Sequence, residues 1–471
     1  MNVVVDPHHA FADRVPVAIV GAGACGLTAA LASAEAGVET VVFERDAKPY
    51  GLTGMSTGQI PAAGTRFQRA KGIEDSPDIL AADLIAEARG ENDPAMVRAV
   101  ARLSGPTVEW LAERIAMPFE VIDNFTYHGH TRLRMHATPN RSGEELHGAL
   151  LAAVEAAGVP IATEARVEDL VVDDAGRVLG LRVQRSGGEI EEIGCNALVL
   201  ACNGFGANPD LLRRFAPDIA EAFYFGHPGN TGHAIHWGEA LGAKLADLGS
   251  YQAHSSIAAA FGLQITWATM REGGVQVNAE GERFADESRG YSEAAADVLK
   301  QPAAQAFNIY DRRVHAVAMQ VDDYRQAHKA GAIVEAPDAR TLAERFGLPA
   351  DRLEATLREA DALVVANGTD RFGRTFEAGK RLVAPYVGVK VTAALLMTQG
   401  GLCVDEEARV LRADGSRFPN LFAGGGAARG LAGPGGWGYL SGAGLLNAVV
   451  LGAAAGRAAA RVAHESLVEA P

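Results

Sequence analysis

Apolar residues follow a strand–turn–helix order near the start of the chain. Residues 17–20 (ValAlaIleVal) form a short apolar run typical of a buried strand, and a glycine-rich turn follows at 21–26. An alanine-rich stretch with helical character comes next, and a second apolar run at 39–43 is again typical of a strand. Two strands that flank one helix predict a βαβ unit in a parallel sheet.

The same order of apolar strand and glycine turn returns at 196–206 and at 418–426. Helical patterns lie between Asp78 and Ala116 and over 144–157, and a strand with a hairpin after it is predicted at 165–173. Both ends of the chain therefore show the alternation of strands, glycine turns and helices that is typical of α/β layers.

The middle of the chain has fewer glycine turns, more helix, and its own predicted strands at 274–278 and 305–311. A chain of 471 residues is longer than a single hydrophobic core usually accommodates. We therefore expect one domain built from both chain ends, residues 1–250 and 392–471, with a capping domain of residues 251–391 inserted between them. Within the first domain, the opening 14 residues are expected to form a loose arm.

Composition excludes some classes of function. Acidic residues (58) outnumber basic ones (43), and the net charge of −15 argues against a nucleic-acid partner. The four cysteines form no CxxC pair, which predicts buried free thiols and neither disulfides nor a metal site. The histidines at 227, 233 and 236 lie in a turn, and we expect no metal there either.

The final apolar run, Leu445 to Ala460, is rich in alanine and is interrupted by Asn447, Gly452 and Arg457. This pattern predicts a buried helix, not a membrane span. No basic and apolar leader pattern opens the chain, so we expect a cytoplasmic protein.

The first glycine turn has the spacing of an ADP-binding grip. Gly21 suits a tight turn, Gly23 lets the backbone approach a pyrophosphate, and Gly26 lets helix and strand pack closely. Glu44 ends the second strand, where its carboxylate can hold ribose hydroxyls. The start of the helix would face the phosphates. These residues predict a bound ADP moiety.

A strand, glycine turn and helix that return at the C-terminal end suit a longer cofactor than a nicotinamide dinucleotide. Together with three further motifs, they make the chain resemble the FAD flavoproteins of the fumarate reductase and 3-ketosteroid dehydrogenase group. The motifs are ValGlnValAsnAlaGluGlyGluArgPheAlaAspGlu (275–287), GlyAsnThrGlyHisAlaIle (229–235), and LeuPheAlaGlyGlyGly (421–426) followed by SerGlyAlaGlyLeuLeuAsnAla (441–448).

The resemblance implies an α/β fold, with a glutathione-reductase-like Rossmann FAD-binding domain and an inserted α+β capping domain. It implies non-covalently bound FAD, with the last helix pointing its N-terminus at the flavin. The cofactor-binding residues expected from the turn and the resemblance are Gly21, Ala22, Gly23, Ala24, Cys25, Gly26, Glu44, Arg45, Thr53, Gly54, Ser56, Thr57, Gly58, Val167, Asn203, Gly204, Gly425, Gly426, Ala443, Gly444, Leu445 and Leu446.

Departures from the fumarate reductases favour the ketosteroid branch. Four residues after Glu287, where those reductases have an arginine proton donor, this chain has Tyr291. In the ketosteroid enzymes a tyrosine base takes that place. A tyrosine of ordinary pKa is a poor base, and we expect Arg289 to favour its phenolate.

Two anchors for a dicarboxylate substrate are replaced, one by Leu396 and one by Tyr439. His254 matches a substrate-binding histidine, which either polarises a carbonyl or is a buried structural histidine. Tyr439 is the expected hydrogen-bond donor to the carbonyl, with a backbone N–H as its partner. A loop with Arg132, Arg134, His136 and Arg141 either holds a substrate carboxylate or is solvated.

The resemblance therefore implies an FAD-dependent oxidoreductase acting on CH–CH groups. We expect α,β-desaturation of a ketone such as a ketosteroid or cyclic oxo compound, with the α-proton going to Tyr291 and the electrons to an external acceptor. The alternative is the reverse reaction, reduction of an activated C=C bond in a substrate that is not a dicarboxylate, fed by an external donor. A non-catalytic flavin-binding protein is the alternative from another class.

Overall fold

The computed structural model describes residues 1–468. The first half of the chain carries mostly short strands. Its strands are β1 (Asn2–Val5), β2 (Asp13–Val20), β3 (Thr40–Phe43), β4 (Gln59–Pro61), β5 (Glu120–Val121), β6 (Met135–Ala137), β7 (Ile161–Ala162), β8 (Ala165–Val172), β9 (Val178–Arg185), β10 (Ile190–Leu200), β11 (Phe223–Tyr224) and β12 (Leu245–Ala246). Its helices are α1 (Ala24–Glu35), α2 (Gly51–Met55), α3 (Arg66–Ala70), α4 (Pro77–Glu87), α5 (Pro94–Arg114), α6 (Gly143–Ala156), α7 (Pro209–Phe215) and α8 (His233–Leu241).

The second half of the chain carries the helices of the cap and then the long helix α15. Its strands are β13 (Tyr251–Ala258), β14 (Leu263–Gln264), β15 (Val275–Val277), β16 (Gln305–Asp311), β17 (Val334–Ala336), β18 (Tyr386–Thr398), β19 (Gly401–Leu402), β20 (Arg409–Leu411) and β21 (Arg417–Ala423). Its helices are α9 (Ala268–Arg271), α10 (Tyr291–Leu299), α11 (Arg312–Ala318), α12 (Asp322–Lys329), α13 (Ala339–Phe346), α14 (Ala350–Ala366) and α15 (Ala443–Val468).

The larger sheet is built from both chain ends, as the resemblance implies. Its strand order is β1-β8-β9-β10-β2-β3-β7, and β21 joins it beside β10 with β20 at its edge. The pairs β2–β3, β10–β2 and β10–β21 are parallel, so their carboxyl ends meet at one edge of the sheet. The apolar run of β2 is buried throughout Val17–Val20. The three glycine turns therefore lie at the same edge of the sheet, with the turn after β10 between the other two, and the predicted Rossmann-type α/β fold is confirmed.

The prediction that the opening 14 residues form a loose arm is wrong. Residues 2–5 form β1, which pairs in parallel with β8 from Asn2 opposite Asp169 to Val5 opposite Val172. The valine run has a strong strand propensity, and β8 offers it an edge with unpaired backbone groups. A four-residue strand has too little periodicity to be recognised from sequence alone.

A second sheet forms the centre of the cap. Its order is β14-β13-β18-β16-β15, with β11 and β17 also paired to β18. Strand β18 continues from Tyr386 to Thr398, so it crosses the expected boundary at residue 392. The apolar core around this sheet also includes Phe205, Leu211 and Ile235 from the first half of the chain. The domain limits therefore stay a prediction.

The last helix, α15, packs against α1, α5 and strands of the large sheet. By length and composition its segment Ala443–Ser466 is apolar enough to cross a membrane, with a mean hydropathy of 1.4, but 78% of that apolar window is buried inside the protein. Core helices meet the same criteria, so this is weak evidence for a span. The predicted buried helix is confirmed.

The cysteines are free thiols, as predicted. Cys25, Cys195 and Cys403 are buried and Cys202 is partly buried. Burial raises the pKa of the Cys25, Cys195 and Cys202 thiols to about 12, so they stay protonated and unreactive at neutral pH.

Candidate active site

An elongated cavity runs from the first glycine turn to the cap. Because it reaches from one to the other, a long cofactor and a substrate can lie along it together. Residues of the large sheet line one end of it, and side chains of the cap line the other.

The geometry of the first glycine turn fits the roles predicted for its three glycines. Gly21 has φ +106, and a Cβ there would lie 2.6 Å from the Ala201 carbonyl oxygen. A Cβ on Gly26 would lie 1.9 Å from the Gly21 carbonyl oxygen, so only glycine lets helix and strand approach this closely. Gly23 instead faces open space, with only the Thr53 hydroxyl nearby at 3.5 Å. The open side is where a pyrophosphate would contact the backbone.

Polar groups surround that open side. The Glu44 carboxylate accepts a hydrogen bond from the Ala22 N–H at 2.9 Å, so it lies directly beside the turn. The Ala24 N–H at the start of α1 donates to the Thr53 hydroxyl at 2.8 Å. A carboxylate for ribose and a helix start for phosphate are thus together, and these residues fit an ADP moiety.

The expected cofactor-binding residues divide into two groups. Those that line the cavity are Gly21, Ala22, Gly23, Ala24, Cys25, Glu44, Arg45, Thr53, Ser56, Thr57, Val167, Asn203, Gly425, Gly426, Gly444 and Leu445. Those outside the lining are Gly26, Gly54, Gly58, Gly204, Ala443 and Leu446. The glycines of this second group allow close packing: a Cβ on Gly204, for example, would lie 2.1 Å from the Thr398 hydroxyl.

The start of α15 forms the far wall of the cofactor site. Gly442, Gly444 and Leu445 line the cavity there. The N-terminus of a 26-residue helix carries partial positive charge and free N–H groups. This wall suits the part of a flavin that gains negative charge on reduction.

Three aromatic side chains predicted to be catalytic meet at this end of the cavity. The Tyr291 ring stacks on His254 with centroids 4.7 Å apart and planes 23° apart. The Tyr439 ring meets Tyr291 edge-on at 6.3 Å. Residues 254, 291 and 439 come from β13, the start of α10 and the loop before α15, so the fold unites positions far apart in sequence.

The hydroxyl of Tyr291 is protonated at neutral pH. Burial, and then the neighbouring Tyr439, raise its pKa well above the ordinary value, while hydrogen bonds with Ser441 and Gln252 act in the opposite direction. The Gln252 amide donates to the Tyr291 oxygen at 3.5 Å. Sequence reasoning missed Gln252, although it lies two residues before His254 in one strand and so shares its face.

His254 is a neutral hydrogen-bond donor. Burial lowers its pKa to about 3. Its Nδ1 accepts a hydrogen bond from the Ser256 N–H at 3.0 Å, which places the ring proton on Nε2. His254 lines the cavity, so this Nε2–H is suited to a carbonyl oxygen.

Tyr439 is the second donor. Burial raises its pKa to about 12, so its hydroxyl keeps its proton. Its oxygen accepts from the Gly444 N–H at 3.3 Å, which leaves the O–H free to donate into the cavity.

Arg289 does not have its expected role. Its guanidinium pairs with Asp297 at 3.1 Å and Glu293 at 3.5 Å on α10, and it lies outside the cavity lining. These carboxylates, one and two turns along the helix, draw it away from Tyr291. Only its backbone contributes: the Arg289 carbonyl accepts from the Trp267 indole N–H at 2.9 Å, which holds the loop that leads to Tyr291.

The 275–287 motif forms a buried ion network that supports the same loop. Arg283 Nε donates to Glu287 at 2.8 Å, and Arg374 donates to the same carboxylate at 2.9 Å. The Gln276 N–H adds a third bond at 3.0 Å. The arginines hold the pKa of Glu287 below its usual range, against the opposing effect of burial. The motif therefore fixes the backbone four residues before Tyr291.

Relatives of known activity match almost the full chain. An NADH:fumarate oxidoreductase of Klebsiella pneumoniae (strain 342) is 27% identical over 95% of this chain and 48% of its own length. A 4-oxocyclohexanecarboxylate 2-dehydrogenase of Sinomonas cyclohexanicum is 26% identical over 87% of each. The chain thus spans about half the length of the first of these relatives.

Solved structures share the fold. The open conformation of a flavocytochrome c3 fumarate reductase matches with a TM-score of 0.81 and 27% identity, over 96% of this chain and 79% of that one. A 3-ketosteroid Δ4-(5α)-dehydrogenase from Rhodococcus jostii RHA1, in complex with 4-androstene-3,17-dione, matches with a TM-score of 0.76 and 23% identity over 98% and 99%.

The family model described as "FAD binding domain" matches residues 16–445, which include the first glycine turn, the cap and the start of α15. The cofactor predicted from the returning glycine turn is therefore FAD, and the resemblance to the fumarate reductase and ketosteroid dehydrogenase group is confirmed. The chain belongs to the FAD binding domain family and is an FAD-dependent oxidoreductase of the group that acts on CH–CH bonds.

Proposed function

We propose that this protein introduces a double bond α,β to the carbonyl of a ketone, such as a ketosteroid or a smaller cyclic oxo compound. One observation carries the proposal: the side chain of Tyr291, a proton-transfer group, contacts two neutral donors, His254 and Tyr439, at the flavin end of the cavity. Two donors and one proton-transfer group are what enolate chemistry next to a carbonyl requires.

FAD bound along the large sheet would supply the two-electron chemistry, as the acceptor of a hydride from the β-carbon. His254 Nε2–H and the Tyr439 hydroxyl hold the carbonyl oxygen and stabilise its developing negative charge. In this direction Tyr291 accepts the α-proton as its phenolate, so its own hydroxyl proton leaves before the step. Gln252 donates to the Tyr291 oxygen and so supports it when it has lost its proton.

The reverse reaction, reduction of a carbonyl-activated C=C bond, is a second candidate. The raised pKa of Tyr291 favours it, because a phenol that retains its proton is ready to protonate an α-carbon. The relatives named as reductases also support it. The same side chains serve both directions by microscopic reversibility. In each direction an external electron acceptor or donor completes the cycle.

Anaerobic half-reactions test both directions. Oxidised enzyme mixed with a 3-ketosteroid or a cyclohexanone should bleach the flavin band, whereas pre-reduced enzyme mixed with the matching enone should regain it. The faster half-reaction identifies the favoured direction. Failure of both with a range of ketones and enones would contradict the proposal and favour a non-catalytic flavin protein.

Tyr291→Phe tests the proton-transfer role. We expect the half-reaction rates to fall about 10²–10⁴-fold, the range that positioned acid–base groups contribute. Tyr386→Phe is the matched control, because Tyr386 lies in the cap but outside the lining of the cavity. An unchanged rate of flavin reduction in Tyr291→Phe, with FAD still bound, would rule out Tyr291 as the proton-transfer group.

A further inference from the structure

Within the part of the chain that the structure describes, the cap contributes no lysine or arginine to the cavity. Among the described residues, its lining positions are Gln252, His254, Gln264, Thr266, Trp267, Tyr291, Val321 and Asp323. His254 is neutral, so Asp323 carries the one formal charge of this set. The cavity's two lining arginines, Arg45 and Arg166, lie at the ADP end: Arg45 donates to the Gly229 carbonyl at 3.0 Å and Arg166 pairs with Glu168.

The arginines of the basic loop, for which binding of a substrate carboxylate is one predicted role, have other partners. Arg134 is fully buried and pairs with Asp75 at 3.0 Å and Asp83 at 2.8 Å. Arg141 donates to Gln320 at 3.3 Å, and the Arg132 guanidinium donates to its neighbouring carbonyl at 2.9 Å. None of the three lines the cavity. Leu396, in place of a carboxylate-binding histidine, does line it.

Asp323 and its neighbour Asp322 differ in their hydrogen-bond partners, although both lie on α12. Asp322 accepts from Arg325 at 2.8 Å and from Gln326 at 2.7 Å. Asp323 faces the cavity and has no hydrogen-bond or ion-pair partner among the described residues. An uncompensated, partly buried carboxylate repels anions and attracts cations, and both effects strengthen when a ligand displaces water.

We propose that the substrate of this enzyme carries no carboxylate, and that Asp323 is a specificity-determining residue that disfavours anionic ketones and favours those with a basic nitrogen. The inference rests on the proposed ketone chemistry and adds a charge preference to it. Neutral side chains recognise the polar groups of the ketone, and Asp323 sets the sign of charge that the cavity accepts.

Three cyclohexanones of similar size test this preference on the FAD-loaded enzyme. They differ at C4: 4-oxocyclohexanecarboxylate is an anion, its methyl ester is neutral, and 4-(dimethylamino)cyclohexanone is a cation. Their dissociation constants are read from the perturbation of the oxidised flavin spectrum. We expect the cation to bind most tightly and the anion most weakly, with about a tenfold difference or more between these two.

Charge variants identify the residue responsible. Asp323→Asn should bring the three constants close together, and Asp323→Lys should reverse their order. Asp322→Asn is the control on the same helical turn and should leave the order unchanged. The inference is overturned if the wild-type enzyme binds the anion as tightly as the ester, or if the Asp323 variants keep the wild-type order.

Binding and turnover separate the two proposals. Binding in the expected order without bleaching of the flavin contradicts only the proposed reaction. Bleaching without that order contradicts only the charge preference. Failure of all three ketones to bind would contradict both.

Discussion

Glu287→Gln should release the loop that carries Tyr291. In the native protein the Glu287 carboxylate accepts hydrogen bonds from Arg283, from Arg374 and from the Gln276 N–H, and its side chain is only 2% exposed. The glutamine keeps the shape but removes the negative charge. Arg283 keeps Asp370 as a partner, whereas Arg374 is left with the Gly274 carbonyl alone.

The expected loss of stability follows from this change in partners. Removing one partner of a buried ion pair typically destabilises a protein by about 3–5 kcal/mol, because the remaining charge stays buried and unpaired. Since Arg283 keeps Asp370, we expect a value near the lower limit, about 3 kcal/mol. That corresponds to a roughly hundredfold larger equilibrium constant for local opening of the structure.

Hydrogen exchange followed by mass spectrometry measures that opening. Amides of residues 275–291 should exchange about a hundredfold faster in Glu287→Gln, while those of β2 and β10 in the large sheet stay protected. Glu282→Gln is the matched control, since Glu282 pairs with Arg352 at 3.1 Å on the surface, where such pairs contribute about 0–1 kcal/mol. A change of less than about fivefold in Glu287→Gln would refute the structural role of the network.

Three further outcomes can be checked. Gly26→Ala should abolish FAD binding in equilibrium dialysis, because its Cβ would lie 1.9 Å from the Gly21 carbonyl oxygen, whereas Gly37→Ala at an open turn should keep it. Glu44→Gln should weaken FAD binding about tenfold, as expected for one lost charge-assisted bond; unchanged affinity would exclude a ribose contact. Burial and the neighbouring Glu293 raise the pKa of Glu87 to about 7. Because the folded protein then binds this proton more tightly than the unfolded chain, the free energy of unfolding should fall as pH rises from about 4.5 to 7. Glu87→Gln should flatten this dependence in thermal unfolding; an unaltered pH profile would contradict it.

Sequence patterns predicted the parts of the site that depend on spacing along the chain. The glycine turn, the acid after the second strand and the tyrosine four residues beyond Glu287 all depend on local order, and local order is visible in sequence. The structure brings Tyr291, His254 and Tyr439 together as that reasoning required.

What the sequence did not predict depends on competition between partners in three dimensions. Arg289 is two residues from Tyr291 in the chain, but carboxylates on the next turns of α10 pair with it more closely. Whether Asp322 or Asp323 faces the cavity depends on where α12 begins and how it packs. Strand β1 forms because β8 has an open edge, a fact that no local pattern contains.

The contact between the first and last helices has a consequence for the order of folding. A Cβ on Gly452 would lie 2.5 Å from the Cys25 carbonyl oxygen, and one on Gly456 would lie 2.2 Å from that of Ala29, so α15 lies directly against the backbone of α1. The ADP-binding turn and its acid lie within residues 17–44, whereas the opposite wall of the cofactor site comes from α15, much later in the chain. Cofactor capture therefore requires α15, and FAD uptake by nascent protein would report that synthesis has passed this helix.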